Sequence, residues 1–217
     1  MDTARRRLLQ HLLVTGAFAG GVSGLIREAL AMGNRPIAPG IHDIRGSVKL
    51  NGKTAQPGEL VRRGDSVTTG ANGQAVLVIE RDAFMLRENT QVVFGEEAVK
   101  QALRLITGKI LSVFAQGEHR VLIPNATIGI RGTGAYLEAV EAERNYFCLC
   151  YGETIVETVG GQRASYRTGH HESPRFLYRD RGIVPAPMFN HTDAELIMLE
   201  SLVGRYPPFY GSESLYP

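Results

Sequence analysis

The length and composition of this chain fit one globular domain with appended terminal segments. Its 217 residues are 43% hydrophobic and 21% charged, so the chain can bury an ordinary core, and disorder over most of its length is excluded. Four of the 24 basic and two of the 22 acidic side chains lie in the first 31 residues, which leaves 20 of each in the remainder. A neutral remainder lacks the basic surface that phosphate neutralisation requires, so we expect no nucleic-acid partner.

The first 31 residues have the order of a secretory leader. Arg5 to Arg7 precede an apolar stretch from Leu8 to Ile26, and Ala29 and Ala31 follow it, which is the n-region, h-region and A-x-A order of a signal peptide. The basic cluster and the leucines after it resemble the twin-arginine pattern. We therefore predict a signal peptide at residues 1–31 and export to the periplasm or another extracytoplasmic site. The alternative is an uncleaved membrane anchor, because the apolar stretch of about 19 residues is close to the length that spans a bilayer. This anchor is the only membrane contact that we expect.

The chain after the leader predicts an all-β fold. Twenty-five glycines and ten prolines accompany many valine, isoleucine, threonine and tyrosine residues, and short apolar runs alternate with turn signals such as Asn51-Gly52. We expect a short-stranded sandwich or β-solenoid over residues 44–185, after an irregular lead-in at 32–43. The predicted strands include Leu103–Ile106, Ile110–Phe114, Ala135–Val140, Tyr146–Tyr151 and Thr154–Val159.

A short amphipathic α-helix is predicted in the C-terminal segment, residues 186–217. Thr192 and Glu195 form a capping-box pattern, in which each side chain can accept the backbone N–H of the other residue. Apolar residues then recur with helical spacing, and Gly204 follows as a terminator. We place the helix at residues 192–203, with its apolar face against the β domain.

Several spaced motifs between Ile44 and Val159 resemble the FecR domain. The family pattern contains a glycine-led strand, an x-G-D-x-[IV]-x-T-G segment and a later [AV]-x-V-R-G-T-x-F element. The matching segments here are Gly46-Ser47-Val48, Arg63 to Gly70, Arg87 to Thr90 and Ile128 to Gly134. The residues that the resemblance marks as family-motif turn residues are Gly64, Asp65, Thr69, Gly70, Arg131, Gly132 and Thr133.

The resemblance implies a binding or scaffold module that contacts a protein or a glycan of the cell envelope. The family's namesake is a membrane sensor that links an outer-membrane iron-uptake receptor to a cytoplasmic sigma factor. Only about four residues precede Arg5 here, so we expect no cytoplasmic anti-sigma segment. A signalling adaptor related to iron uptake is an alternative that depends on family analogy alone.

Two cysteines lie in an apolar, strand-like run. Because side chains alternate along a strand, Cys148, Cys150 and Tyr146 should share one face. The side chains predicted on the opposite, core-like face are Phe147, Leu149 and Tyr151.

A pair of histidines follows the cysteines at a distance that a hairpin could span. Two thiolates and two imidazoles, from Cys148, Cys150, His170 and His171, could bind zinc, copper or iron in a tetrahedral site. A disulfide between Cys148 and Cys150 is a second interpretation, and two inert buried thiols are a third. The spacing itself does not choose among the three.

The sequence contains no recognisable catalytic machinery. It lacks the G-x-S-x-G, H-E-x-x-H and P-loop patterns, and the glycines around Arg131 are not followed by a helix that could hold an anion. The isolated histidines, including His191, are interpreted as surface or packing residues. We therefore expect a non-enzymatic exported binding module or, as the alternative, a metal- or redox-active periplasmic domain.

Overall fold

The structure is a computed structural model that describes residues 35–96, 99–212 and 216. The predicted signal peptide lies outside these residues. The described part of the chain contains fourteen β-strands and one α-helix. In chain order they are β1 (Gly40–Arg45), β2 (Val48–Leu50), β3 (Lys53–Thr54), β4 (Ser66–Thr69), β5 (Gln74–Ile79), β6 (Asp82–Leu86), β7 (Gln91–Glu96), β8 (Val99–Val113), β9 (Glu118–Ile123), β10 (Ala126–Ala139), β11 (Arg144–Thr158), β12 (Arg163–Thr168), β13 (Arg175–Tyr178), β14 (Gly182–Pro185) and α1 (Asp193–Leu202).

The fourteen strands form one sheet, which its three longest strands divide into two halves. Strands β8, β10 and β11 have 15, 14 and 15 residues, and each contributes one end to each half. The first half-sheet has the order β3-β2-β4-β7-β8-β9-β10-β11-β12, and the second has the order β1-β5-β6-β8-β10-β11-β13-β14. Among the described strands all neighbours are antiparallel except β8 and β9.

The larger hydrophobic core lies between the two half-sheets. Apolar side chains of β2, β4, β7 and β9 pack with those of β1, β5 and β6 from the other half. The rings of Phe84 in β6 and Phe94 in β7, for example, have centroids 5.0 Å apart. A sheet that folds onto itself with antiparallel neighbours is a sandwich and not a solenoid. The predicted all-β fold with one C-terminal helix is therefore confirmed.

A second hydrophobic core lies on the outer face of the second half-sheet, under helix α1. Side chains from β5, β6, β8, β10 and β11 contact Leu196, Met198 and Leu199 of the helix. The helix begins after the N-cap residue Thr192, and Glu195 completes the predicted capping box. All ten helix residues are buried, so α1 is an integral layer of the domain. No helix in the described part of the chain combines the length and hydropathy needed to cross a bilayer.

The expectation of short strands is wrong for the three longest ones. The predicted strands that the structure joins are Leu103–Ile106 and Ile110–Phe114 in β8, and Tyr146–Tyr151 and Thr154–Val159 in β11. Gly108 and Gly152 have positive φ values of 94° and 97°, so each bends its strand without ending it. The hydrogen-bond ladder continues beyond each bend with a different partner strand.

The β domain also begins earlier than the sequence indicates. Strand β1 starts at Gly40, which pairs with Val78 of β5, within the predicted irregular lead-in at 32–43. Ile41 is fully buried, whereas the polar residues that follow it are half-buried. An edge strand with so little apolar alternation gives no periodic signal in the sequence.

Candidate metal centre

A β-bulge in β11 sets the positions of the two cysteines. Along the β10–β11 ladder Gly134 pairs with Tyr151, and the next residue, Ala135, pairs with Leu149. Cys150 is therefore the extra residue of a bulge, which locally breaks the alternation of side chains.

The bulge explains which side chains face the second core. Cys148, Cys150 and Tyr146 share this face, as predicted. Tyr151 lies on the same face, so the prediction that it points the other way is wrong, because the alternation shifts by one residue at the bulge. The residues correctly predicted for the first core are Phe147 and Leu149.

Two histidines from separate loops lie against the cysteines. His171 occupies a bend after β12 with a φ of 53°, and its backbone N–H donates to the Cys150 carbonyl at 2.9 Å. Its Nδ1 lies 3.5 Å from Cys148 Sγ and 3.2 Å from His191 Nε2. The two sulfur atoms and one nitrogen of each ring all lie within 4.8 Å of one another, and all four side chains are buried. We call Cys148, Cys150, His171 and His191 the Cys/His cluster.

The outer nitrogen of each imidazole is fixed as a donor. His171 Nε2 donates to Asp193 Oδ1 at 3.0 Å, and His191 Nδ1 donates to the Phe189 carbonyl at 2.8 Å, since these oxygens only accept. A neutral imidazole carries one N–H, so the inner nitrogens of both rings present lone pairs. Those nitrogens face each other at 3.2 Å. Two facing lone pairs repel unless a cation, either a proton or a metal ion, lies between them.

Two separations in the cluster match the edges of a tetrahedral zinc site. Zn–N distances of about 2.0–2.1 Å and Zn–S distances of about 2.3 Å give an N–N edge of about 3.3 Å and an S–N edge of about 3.5 Å. The corresponding separations here are 3.2 Å between the two histidine nitrogens and 3.5 Å between Cys148 Sγ and His171 Nδ1. The remaining ligand atoms lie within 4.8 Å of these and of one another.

The electrostatic environment favours a thiolate at Cys148. A hydrogen bond with Cys150 lowers the pKa of Cys148 well below its usual value, and hydrogen bonds with His171 and His191 act in the same direction against burial. Burial, followed by the effect of Cys148, raises the pKa of Cys150 well above its usual value. Burial opposes protonation of His171, but hydrogen bonds with Asp193 and Cys148 raise its pKa to about 8. The cluster thus favours negative sulfur beside a cation.

Asp193, the first residue of α1, supports the cluster from behind. Its carboxylate is fully buried and accepts hydrogen bonds from His171 Nε2, from His170 Nε2 at 2.8 and 2.9 Å, and from the backbone N–H of Tyr216 at 2.6 Å. A carboxylate in this position orients a metal-binding imidazole and increases its basicity. His170 therefore lies in the surroundings of the Cys/His cluster.

His191 takes the position that the sequence prediction gave to His170. Consecutive residues direct their side chains differently, so His171 reaches the cysteines whereas His170 contacts Asp193. His191 does pack, with its ring stacked on Tyr136 at a centroid distance of 4.6 Å, but its Nε2 points to the cluster. The sequence does place His191 directly before the predicted N-cap residue of α1. Its contact with His171, however, depends on how the helix packs on the sheet, which the local sequence does not reveal.

Both cysteines are free thiols in the structure, and neither has exposed surface. Cys150 Sγ lies 3.8 Å from the carbonyl oxygen of Cys148. The disulfide interpretation stays a prediction, which thiol counting can test.

The family-motif residues around β4 shape chain reversals. Gly64 has a φ of 90°, and Asp65 accepts the backbone N–H of Arg62 at 2.6 Å. At the other end of the strand Thr69 is buried, and the Gly70 carbonyl accepts the hydrogen bond that closes the next turn at 2.9 Å.

The later family-motif residues, Arg131, Gly132 and Thr133, lie inside strand β10, whereas the family resemblance marks them as turn residues. The predicted strand Ala135–Val140 is the second part of β10. Arg131 is exposed and pairs with Glu118 at 2.8 Å. Gly132 has a φ of 54°, and Thr133 is fully buried. The interrupted register after Arg131 marks the point where β10 passes from the first half-sheet to the second.

Similarity to known proteins does not assign a function to this chain. No family model and no curated protein matches the sequence. Two crystal structures of a protein from Parabacteroides distasonis ATCC 8503, described as "a putative anti-sigma factor", at 1.65 and 2.50 Å resolution, align with TM-scores of 0.48. Their sequence identities are 10% and 11%, and each alignment covers 56% of this chain and 58% of the other. The chain thus spans little more than half the length of those structures.

Proposed function

We propose that this chain is a non-catalytic, exported β module in which the Cys/His cluster binds one zinc ion. The observation that carries the proposal is the pair of inner histidine nitrogens that face each other at 3.2 Å beside two buried thiols. A set of two sulfur and two nitrogen ligands favours zinc, with copper(I) or iron as competitors.

The proposed ion would fasten the C-terminal segment to the sheet. Cys148 and Cys150 come from β11, His171 comes from the bend after β12, and His191 comes from the segment ahead of α1. Four protein ligands leave no open coordination position, which is typical of structural zinc and not of catalytic zinc. The complete burial of both thiols supports a structural role, since no substrate reaches them without local opening.

Export and a partner in the cell envelope complete the proposal. The leader pattern supports export, and a folded, metal-loaded cargo suits the twin-arginine pattern. The chain reversals at Gly64, Asp65 and Gly70 support the FecR-like part of the proposal. We propose that the module binds an envelope protein or a glycan through surfaces away from the metal centre.

Elemental analysis with thiol counting, on mature protein purified from its native compartment, tests the metal site. We expect about one zinc per chain, with both thiols unreactive until a chelator is added. Cys148→Ser and His191→Gln should each lose the metal. His170→Gln is the matched control and should keep it, because glutamine can still donate to Asp193. Metal-free protein, whether its two thiols are free or joined in a Cys148–Cys150 disulfide, would overturn the proposal.

A further inference from the structure

The outer face of the first half-sheet carries a row of alternating charges across four strands. Cross-strand register places Arg167 of β12 beside Glu153 of β11, Glu153 beside Arg131 of β10, and Arg131 beside Glu118 of β9. Arg131 pairs with Glu118 at 2.8 Å, and Arg167 pairs with Glu153. All four side chains point to solvent, and the row reads plus, minus, plus, minus.

The neighbouring row on this face contains a projection beside a depression. Register places Ser165, Ile155, Gly129 and Arg120 side by side on the same four strands. Ile155 is 40% exposed, and Gly129 next to it has no side chain, which leaves a depression bordered by the charged row. An exposed isoleucine adjacent to a glycine depression gives the face a steric pattern as well as a charge pattern.

Both patterns are self-complementary under one particular two-fold rotation. An axis in the plane of the face, parallel to the strands and between β10 and β11, reverses the order of the four strands. It lays Arg167 over Glu118 of a second copy, and Arg131 over Glu153. The same rotation lays Ile155 over the depression at Gly129. An axis perpendicular to the strands and through the charged row would instead lay like charges over one another, so charge complementarity favours the first axis.

We propose that this face pairs with the same face of a second copy of the chain to form a two-fold symmetric dimer. The proposal is independent of the metal centre, which lies on the other half of the sheet. Four strands about 4.8 Å apart and about six residues long give a planar area of roughly 400 Å² per protomer. Stable interfaces bury about 800 Å² per partner, so the dimer should be weak and concentration-dependent. Its exposed charge pairs should make it sensitive to salt.

Sedimentation velocity on the metal-loaded mature protein tests the pairing. We expect a shift from monomer to dimer between about 10 μM and about 1 mM, and a shift back towards monomer as salt is raised. Gly129→Gln should abolish the dimer by filling the depression. It should leave the fold intact, because a Cβ at Gly129 would meet only the Ile155 carbonyl oxygen, at 3.7 Å. Thermal unfolding verifies the fold of each variant.

Charge reversal provides an independent arm of the same test. Arg131→Glu should weaken the dimer at least tenfold, and adding Glu153→Arg should restore it, because opposite charges again meet across the axis. Arg63→Glu, which removes an exposed ion pair with Glu80 elsewhere, is the matched control and should not change it. A protein that stays monomeric over the whole range, as expected if the face binds another envelope protein or a glycan, overturns the proposal. So does a dimer that Gly129→Gln and Arg131→Glu leave unchanged.

Discussion

Asp193 determines how the imidazole of His171 meets the cysteines. Its carboxylate holds Nε2 of His171 as a donor, which leaves Nδ1 with the lone pair that a metal ion needs. The same carboxylate binds His170 and the backbone of Tyr216, so one buried group joins three separate parts of the chain.

Replacing Asp193 should weaken metal binding without removing a ligand. Asp193→Asn can present an amide N–H to His171, which favours the wrong tautomer, and we expect zinc affinity to fall about 10–100-fold. Competition with a chromogenic chelator measures the change. Asp180→Asn, at an exposed carboxylate, is the control. An affinity equal to that of the unaltered protein would show that the carboxylate does not act on the ligand.

Glu200 of α1 gives the folded protein a defined pH dependence. Burial raises the pKa of Glu200 above its usual value of 4.5, although Arg205 and Tyr151 act in the opposite direction. Between the unfolded and the folded pKa the native state binds more protons, so this contribution to the free energy of unfolding is lost as pH rises through the folded pKa.

Urea unfolding at a series of pH values above 4.5 tests this contribution. Glu200→Gln cannot titrate, so its stability should fall less with rising pH than that of the unaltered protein. The effect of metal binding on pH dependence is common to both proteins and cancels in the difference. Parallel pH profiles would contradict the assignment.

Residue-level features could be predicted only where they depend on neighbours in the sequence. Alternation along a strand places Cys148 and Cys150 on one face, whereas Tyr151 lies beyond a bulge that only the pairing with β10 produces. His191 contacts His171 across 20 residues, so no local pattern joins the two.

At the level of elements, glycines with positive φ let single strands serve both half-sheets. Gly152 has a φ of 97°, and a Cβ there would collide with the side chain of Thr133. The capping box of α1 could be predicted because it is local, whereas strand continuity through Gly108 and Gly152 depends on partners that the local sequence does not reveal.

Gly152→Ala should therefore be clearly destabilising. We expect a loss of about 1–3 kcal/mol in the free energy of unfolding, from backbone strain and the collision with Thr133. Gly160→Ala, where the new Cβ meets only ordinary contacts at 3.8 Å, should change stability by less than about 0.5 kcal/mol. Chemical denaturation measures both, and equal values for the two variants would contradict the role of the bend.

The whole molecule has two hydrophobic cores, and they differ in how far the sequence predicts them. The first core lies between the half-sheets, and composition and turn signals predict the all-β class to which it belongs. The second core, with the Cys/His cluster inside it, forms where α1 docks on the outer face of the sheet, and that position follows only from the assembled topology.

Removing the metal should loosen the C-terminal segment before the rest of the domain. We expect a chelator to accelerate tryptic cleavage after Arg205, whose guanidinium is held by Glu200 at 2.6 Å in the folded state. His191→Gln should be cleaved at the faster rate without chelator, and His170→Gln should behave like the unaltered protein. Mass spectrometry of the fragments measures these rates, and cleavage that ignores the chelator would argue against a metal that fastens this segment.

X-ray absorption spectroscopy at the zinc edge tests the central claim most directly, on mature protein purified without added metal. The Cys/His cluster predicts two sulfur scatterers at about 2.3 Å and two nitrogen scatterers at about 2.0–2.1 Å, with the multiple scattering typical of imidazole. A zinc shell made of oxygen and nitrogen alone, or protein that contains no metal, would contradict it.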